Sequence, residues 1–318
     1  MRSLHNFLEK KLNSDLVSPT INYDLSLLKK IQHFTEFIFV LLILYPLKIF
    51  GYKNNIRIYR AIFGFLARLD PFRKRATANL KMVYPTLNAD KLNKIAIECW
   101  QNLGNVAVDF SYCRALYHRT DFYKIEGQDI LKRLQEQNQN AIFFSGHIAT
   151  WEIFRIAAHH SGTDCAMIYR AFNNPLFDML ARYNMDYGFA PVFQKGSKGV
   201  KNMMRYLKNN GNILILTDQY FSKGLDIPFF GRNAKTAPSA AEISLKYNLP
   251  LVPVFVRRDG LGKFIISIHN PLEINKANTT KDQQVTLLLE KMNKTLEKHI
   301  QSYPEQWFWL HRRWKGAF

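Results

Sequence analysis

From residue 122 onward, short apolar runs alternate with stretches in which apolar residues recur at helical spacing. Runs at 141–144, 165–169, 191–193, 212–216, 251–256 and 264–268 have the length and composition of buried strands. Between them, 151–160, 175–187, 199–209 and 240–247 read as helices. This βαβα alternation predicts an α/β domain, a three-layer sandwich with a largely parallel central sheet. Upstream, Leu92, Ile95, Trp100, Leu103 and Val106 predict a helix over 89–114 with Asn88 or Asp90 near its start. A last helix is expected over 282–300, ahead of an aromatic tail. No internal repeat, low-complexity tract or Pro/Gly-rich linker interrupts the pattern.

The N-terminal part is patterned differently. About thirty polar, mixed residues carry no signal-peptide cleavage pattern. Residues 31–50, IQHFTEFIFVLLILYPLKIF, are then strongly apolar. Their longest uncharged run is 37–47, interrupted by Pro46, whereas a spanning helix needs about twenty apolar residues. One tilted span ending near Glu36 and Lys48, an embedded monotopic anchor and a buried soluble helix all remain open. The following RIYRAIFGFLARLDPFRKR mixes large apolar groups with arginine and lysine, as interfacial helices do, and favours membrane contact. Lys29 and Lys30 before the apolar run and Lys48 and Lys53 after it leave orientation unassigned. The expected organisation is therefore a polar lead and apolar membrane anchor over 1–56, then one main domain over 57–318.

Composition narrows the partners. A chain of 318 residues, 47% hydrophobic and 14% aromatic, has enough apolar side chains for a substantial core and is not disordered, collagen-like or a coiled coil. Its net charge of +19 points to anions: nucleic acid, anionic lipid or an acidic protein. Two stretches hold bases and no acid, 37–69 with Lys48, Lys53, Arg57, Arg60 and Arg68, and 187–217 with Lys195, Lys198, Lys201, Arg205 and Lys208. Each is either a solvated basic face or a surface for an extended anion. Cys99, Cys113 and Cys165 form no CxxC pair, which excludes a disulfide scaffold and a thiolate zinc site and fits a reducing compartment.

The segment AIFFSGHIATWEIF, 141–154, is the most informative for chemistry. A strand ends at Ser145-Gly146, His147 occupies the turn, and Glu152 follows five residues later on the next helix. Strand ends of open α/β sheets are where sites form. Positions five apart on a helix are about 140° out of phase, so these side chains meet only if His147 precedes the helix and Glu152 points back. That geometry would suit general-base removal of a proton from a hydroxyl; otherwise His147 merely sits near a helix N-terminus and Glu152 is exposed. Asp218 and Gln219 follow the run at 212–216 at the same expected sheet edge, and Pro228-Phe229-Phe230-Gly231 offers an apolar wall. Ser145 lacks a G-x-S-x-G elbow, His159-His160 lacks an H-E-x-x-H context, and neither G-x-G-x-x-G nor a P-loop appears. The tail WFWLHRRWKGAF suits a lipid headgroup interface or single-stranded nucleic acid; alternatively its tryptophans cover the core and its arginines are solvated.

In order, SGH-x-x-x-x-E, Tyr169-Arg170, Asp218-Gln219, PFFG, Leu251-Val252-Pro253-Val254-Phe255 and His311-Arg312-Arg313-Trp314-Lys315, with RATANLKMVYP upstream, resemble the late acyltransferases of lipid A biosynthesis. These lauroyl/myristoyl-type enzymes are a branch of the lysophospholipid acyltransferase superfamily, and the resemblance runs from about residue 37 to the C-terminus. It implies a membrane-associated enzyme at the cytoplasmic face of a bacterial inner membrane, without cofactor or metal. Such an enzyme transfers a fatty acyl group from acyl-acyl carrier protein to a hydroxyl of a lipid A precursor. Carried over by motif, His147 is the general base, Glu152 its orienting carboxylate, and Asp218 a third catalytic group. Arg170, Arg182 and Gln219 are substrate-binding, an anionic membrane is a partner, and nucleic acid is not. The one departure from the family is the polar lead of about thirty residues, and the alternative readings are acylation of another lysophospholipid or glycolipid, and a non-catalytic basic protein binding membrane or nucleic acid.

Overall fold

The computed structural model describes residues 26–314 apart from Tyr45 and Asp70. Most of the polar lead, and Lys315 of the tail motif, lie outside the described residues. Helices α1 (Leu27–Leu44), α2 (Tyr52–Leu69), α3 (Pro71–Val83) and α4 (Ala89–Leu116) come first. The Asn88 side chain caps α4 by accepting the Lys91 N–H at 2.9 Å, as the sequence suggested. There follow β1 (Tyr123–Glu126), α5 (Gln128–Glu136), β2 (Ile142–Ser145), α6 (Glu152–His160), β3 (Cys165–Tyr169) and α7 (Pro175–Met185). After these lie β4 (Val192–Gln194), α8 (Ser197–Lys208), β5 (Asn212–Leu216), and a hairpin of β6 (Leu225–Phe229) with β7 (Arg232–Thr236). Helix α9 (Ser239–Tyr247), β8 (Leu251–Arg258), β9 (Phe264–Ile268) and α10 (Lys281–Ser302) complete the elements.

Seven strands form one sheet in the order β1-β9-β8-β2-β5-β3-β4. Every neighbouring pair is parallel except β8 with β9, so β1 and β9 run against the other five. The α/β class and the mostly parallel sheet are as the alternation predicts. Central strand β2 is buried on both faces, and its residues alternate between two cores: Ile142 and Phe144 pack into one, Phe143 into the other. The first core takes apolar residues from α8, α9, α10 and the C-terminal segment, the second from α5, α6 and α7. Helix α4 contributes Leu92, Ala96 and Cys99 to the first and Cys113 and Leu116 to the second, so it passes from one layer to the other.

The differences from expectation have local causes. Strand β1 is half exposed at the sheet edge, and the β6–β7 hairpin carries Asp226, Arg232, Asn233 and Lys235, so neither reads as an apolar run. The tail is not a surface cluster. Trp307, Trp309 and Trp314 are buried in the first core, and Arg313 is fully buried rather than solvated, its guanidinium donating to Gln219 O, Lys235 O and Thr236 Oγ1. Among the described residues no helix is long and apolar enough to cross a membrane. Leu27, Leu28, Phe39, Leu42, Phe50, Phe65 and Leu69 of the N-terminal segment are nevertheless exposed.

Two half-buried imidazoles with buried ring nitrogens give the fold a pH dependence. His299 lies flat on Phe255 at 4.5 Å between ring centroids, and His311 sits edge-on to Trp307 at 5.0 Å. Burial is the main cause that lowers both from 6.5 to about 4; at His299 the neighbours His269 and Arg257 add to it, and at His311 Asp218 opposes it while His147 and Arg313 add to it. The unfolded chain therefore binds more protons than the folded one between about pH 6.5 and pH 4, and stability falls as the pH drops through that window. Denaturant midpoints should decline from pH 7.5 to pH 5, and His299→Phe with His311→Phe should flatten the decline. A flat wild-type profile would contradict the buried, neutral assignment.

Candidate functional site

Strands β2 and β5 lie side by side with Ser145 opposite Leu216, so the turns that follow them open at the same carboxyl edge. His147 stands two residues beyond β2 and Asp218 two residues beyond β5, and the shared register brings them face to face. The His147 Nδ1 atom lies 2.7 Å from Asp218 Oδ1. Asp218 Oδ2 accepts the His147 backbone N–H at 2.7 Å and the Trp307 indole N–H at 2.8 Å. The carboxylate is fully buried. Burial alone would raise its pKa, but the His147 charge and hydrogen bonds, with His311 beyond, hold it well below the usual carboxylate range.

An ionised Asp218 accepts the Nδ1 proton and thereby fixes the tautomer, leaving Nε2 as the basic nitrogen. Nε2 faces the Gln219 amide nitrogen at 3.2 Å, and the amide donates to it. The imidazole side chain is 21% exposed while its carboxylate is not exposed at all, so base and support differ in access to a substrate. Gly146 permits the close approach: a Cβ there would lie 3.1 Å from both Asp218 Cγ and Oδ2.

The C-terminal segment closes the back of the turn. Ala149 N–H donates to Gln306 O at 2.9 Å, Phe308 N–H donates to His147 O at 3.1 Å, and Ile148 forms an antiparallel bridge with Trp307. Ala149 adopts a left-handed φ of 42°, a conformation that costs a non-glycine residue about 1 kcal/mol or more and that the surrounding bonds hold in place. Thr150 then donates to buried Asp109 of α4, which also accepts from Tyr52 and Arg258.

The expectation that Glu152 orients the imidazole is corrected. Glu152 does begin α6, but both ring nitrogens of His147 have other partners. Its own Oε2 accepts from Arg155 Nη1 at 3.0 Å and from the Tyr187 hydroxyl at 3.2 Å, while Oε1 has no hydrogen-bond partner. Glu152 and Arg155 are both buried, and Arg155 also donates to the Cys165, Met185 and Ala190 carbonyls. The helical phase that made a 147–152 contact conditional sends the carboxylate under the sheet instead of back to the turn.

The other expected residues divide. Gln219 is at the imidazole. Arg170 is exposed one residue beyond β3, at the same carboxyl edge. Arg182 is not brought to His147: it pairs with Asp178 on α7 at 3.4 Å, and Asp178 in turn accepts from the Tyr169 hydroxyl and the Phe172 N–H. His159 and His160 bond Asp164, Tyr117 and Tyr123, and among the described residues no group of three or more His, Cys, Asp or Glu side chains could hold a metal ion. Sequence reasoning missed Trp307 as a support of the site, because a buried indole donor looks like any core tryptophan.

Comparison with known proteins gives the family. The family profile described as bacterial lipid A biosynthesis acyltransferase matches residues 26–316. The chain is 28% identical over 265 residues to the lipid A biosynthesis palmitoleoyltransferase of Escherichia coli (strain K12), covering 79% of this chain and 82% of that protein. It is 24% identical over 251 residues to the lipid A biosynthesis acyltransferase of Haemophilus influenzae, covering 76% of each. Against the lipid A biosynthesis lauroyltransferase of Escherichia coli (strain K12) the identity is 24% over 244 residues, 74% of this chain and 77% of that protein. With the profile spanning nearly all the described residues and the matching segments enclosing the His147–Asp218 pair, the chain belongs to the bacterial lipid A biosynthesis acyltransferase family.

Proposed function

We propose that the chain transfers a fatty acyl group from acyl-acyl carrier protein to a hydroxyl of a lipid A precursor, with His147 as the general base. The observation that carries this reading is the partly exposed Nε2 at the sheet's carboxyl edge, backed by an ionised, fully buried carboxylate. The acceptor hydroxyl displaces the Gln219 amide and gives its proton to Nε2 as its oxygen attacks the thioester carbonyl. The imidazolium so formed is stabilised by Asp218, then returns the proton to the departing thiolate. No enzyme nucleophile is needed, in keeping with a site built around a histidine and no serine elbow. Asp218 acts through the ring as a positioning residue. Glu152 serves the fold beneath: it neutralises Arg155, which ties the start of β3 to the ends of α7 and the 185–190 loop.

Substrate charge and residence fit the surface. Arg170 at the sheet edge suits a phosphate on the acceptor. Helix α8 exposes Lys198, Lys201, Arg205 and Lys208 with no acid of its own, a face suited to an acidic carrier protein. The exposed apolar side chains of α1 and α2, interleaved with Arg57 and Arg68, suit a monotopic seat in an anionic bilayer at the cytoplasmic face of the inner membrane.

With purified protein, acyl-acyl carrier protein and lipid A precursor, mass spectrometry should show one added acyl chain per acceptor. His147→Ala should abolish it, and Asp218→Asn should lower kcat by roughly 10³–10⁴-fold with the pH profile displaced; full turnover in either variant would refute the mechanism. Glu152→Ala leaves a buried guanidinium without its counter-charge and should lower the unfolding free energy by about 3–5 kcal/mol, read as a shifted denaturant midpoint. Phe39→Asp combined with Phe65→Asp should move the protein from floated anionic vesicles to the soluble fraction, where an unchanged distribution would exclude this face as the membrane seat.

A further inference from the structure

Along α4, Glu98, Asn102, Asn105, Asp109 and Tyr112 recur at intervals of three and four and form one polar stripe where a helix packed against α2 would ordinarily present apolar side chains. The lower end of this stripe is satisfied within the protein: Asp109 accepts from Tyr52, Thr150 and Arg258, and the Tyr112 hydroxyl accepts from Asn55. The upper end is not packed shut. It lines a cavity of about 420 Å³ whose other walls include Arg60 of α2, Arg258 at the end of β8, and Glu305 and Gln306.

Its polar groups are arranged for a ligand. The Arg258 side chain is only 8% exposed, spends Nη2 on Asp109, and has no hydrogen-bond partner at Nε or Nη1. Asn105, 1% exposed, and Asn102 both have buried amide oxygens without a donor. Buried polar atoms in native proteins are nearly always paired, so two donors and two acceptors without partners on three residues that line one cavity mark a place where something bonds. The charges choose its class. Asp109 already neutralises Arg258, which leaves Arg60 with Glu98 and Glu305, so the cavity does not favour a dianion. Open donors and open acceptors side by side match hydroxyl groups, each of which can do both.

One wall of the cavity, Gln306, is bonded to the turn that carries His147. The Asn102 amide and Ala149 N–H both donate to Gln306 O, while the Gln306 side chain bonds the Arg258 backbone in both directions. The geometry points to a subsite for a polyhydroxylated, sugar-like group, occupied by the headgroup of the acceptor while its reacting hydroxyl stands at His147. This assignment rests on the acyl-transfer reading above and adds to it the part of the substrate that is recognised and the residues that recognise it: Glu98, Asn102, Asn105 and Arg258.

The test uses the full-length chain in detergent. By saturation-transfer NMR, N-acetylglucosamine should give a saturable signal that inorganic phosphate does not compete away. Glu98→Ala, on the half-buried rim, and Asn105→Ala, within, should each weaken binding at least about fivefold, whereas His147→Ala should retain it. In turnover, Glu98→Ala should raise KM for the lipid acceptor about tenfold and leave KM for the thioester donor where it was, a split that a loosened fold would not give. Absence of sugar binding, binding of phosphate in its place, or sugar binding indifferent to both substitutions overturns the subsite. A wild-type protein that binds the sugar but acylates no lipid A precursor overturns the acyl-transfer reading and spares the subsite.

Discussion

The structure depends on one buried carboxylate. Asp218 receives three donors, two from the backbone and ring of His147 and one from the Trp307 indole, so the turn after β2 and the C-terminal segment both bond to it. Through them the turn after β2, the turn after β5 and the C-terminal segment are fixed to a single pair of oxygens. An unpaired charge at such a place would cost several kcal/mol, so the arrangement is stable only when all three partners are present. The same requirement that makes the loops cohere makes the imidazole a base of defined tautomer, and packing and chemistry cannot be varied separately here.

Around that point the fold does conventional work. A sheet buried on both faces needs two layers of helices, and a parallel sheet places the ends of β2 and β5 at one edge without any special connection. What is particular is the traffic across that edge. Helix α4 passes from one layer to the other, and residues 306–313 return to the edge, so α4 and this C-terminal segment both brace the turn that carries His147. Arg313, lowered to about 10 by burial and lying over Phe229, anchors this return to the β6–β7 hairpin and to Gln219.

Much of this was legible in the sequence. The buried strands are unbroken apolar runs, and the polar residues that terminate them, His147 and Asp218, stand out for that reason. The choice of carboxylate was not legible, because the motif spacing concerns neighbours on one strand-helix unit whereas the actual pairing is set by register between two strands. Register follows from which runs lie adjacent, and adjacency in a parallel sheet leaves no trace at short range. The pairing of Arg182 with Asp178 one helical turn before it was not legible either, because the motif that singled out the arginine does not extend to its neighbour on the helix. The polar stripe at 98, 102, 105 and 109, in contrast, was visible as a second periodicity on α4 that the apolar positions obscured.

Asp218 and Trp307 are separated by 89 residues. The β2 and β5 turns are therefore synthesised before the indole that completes the set of donors on their shared carboxylate, and the Asp218 site closes only when the C-terminal segment folds back onto it.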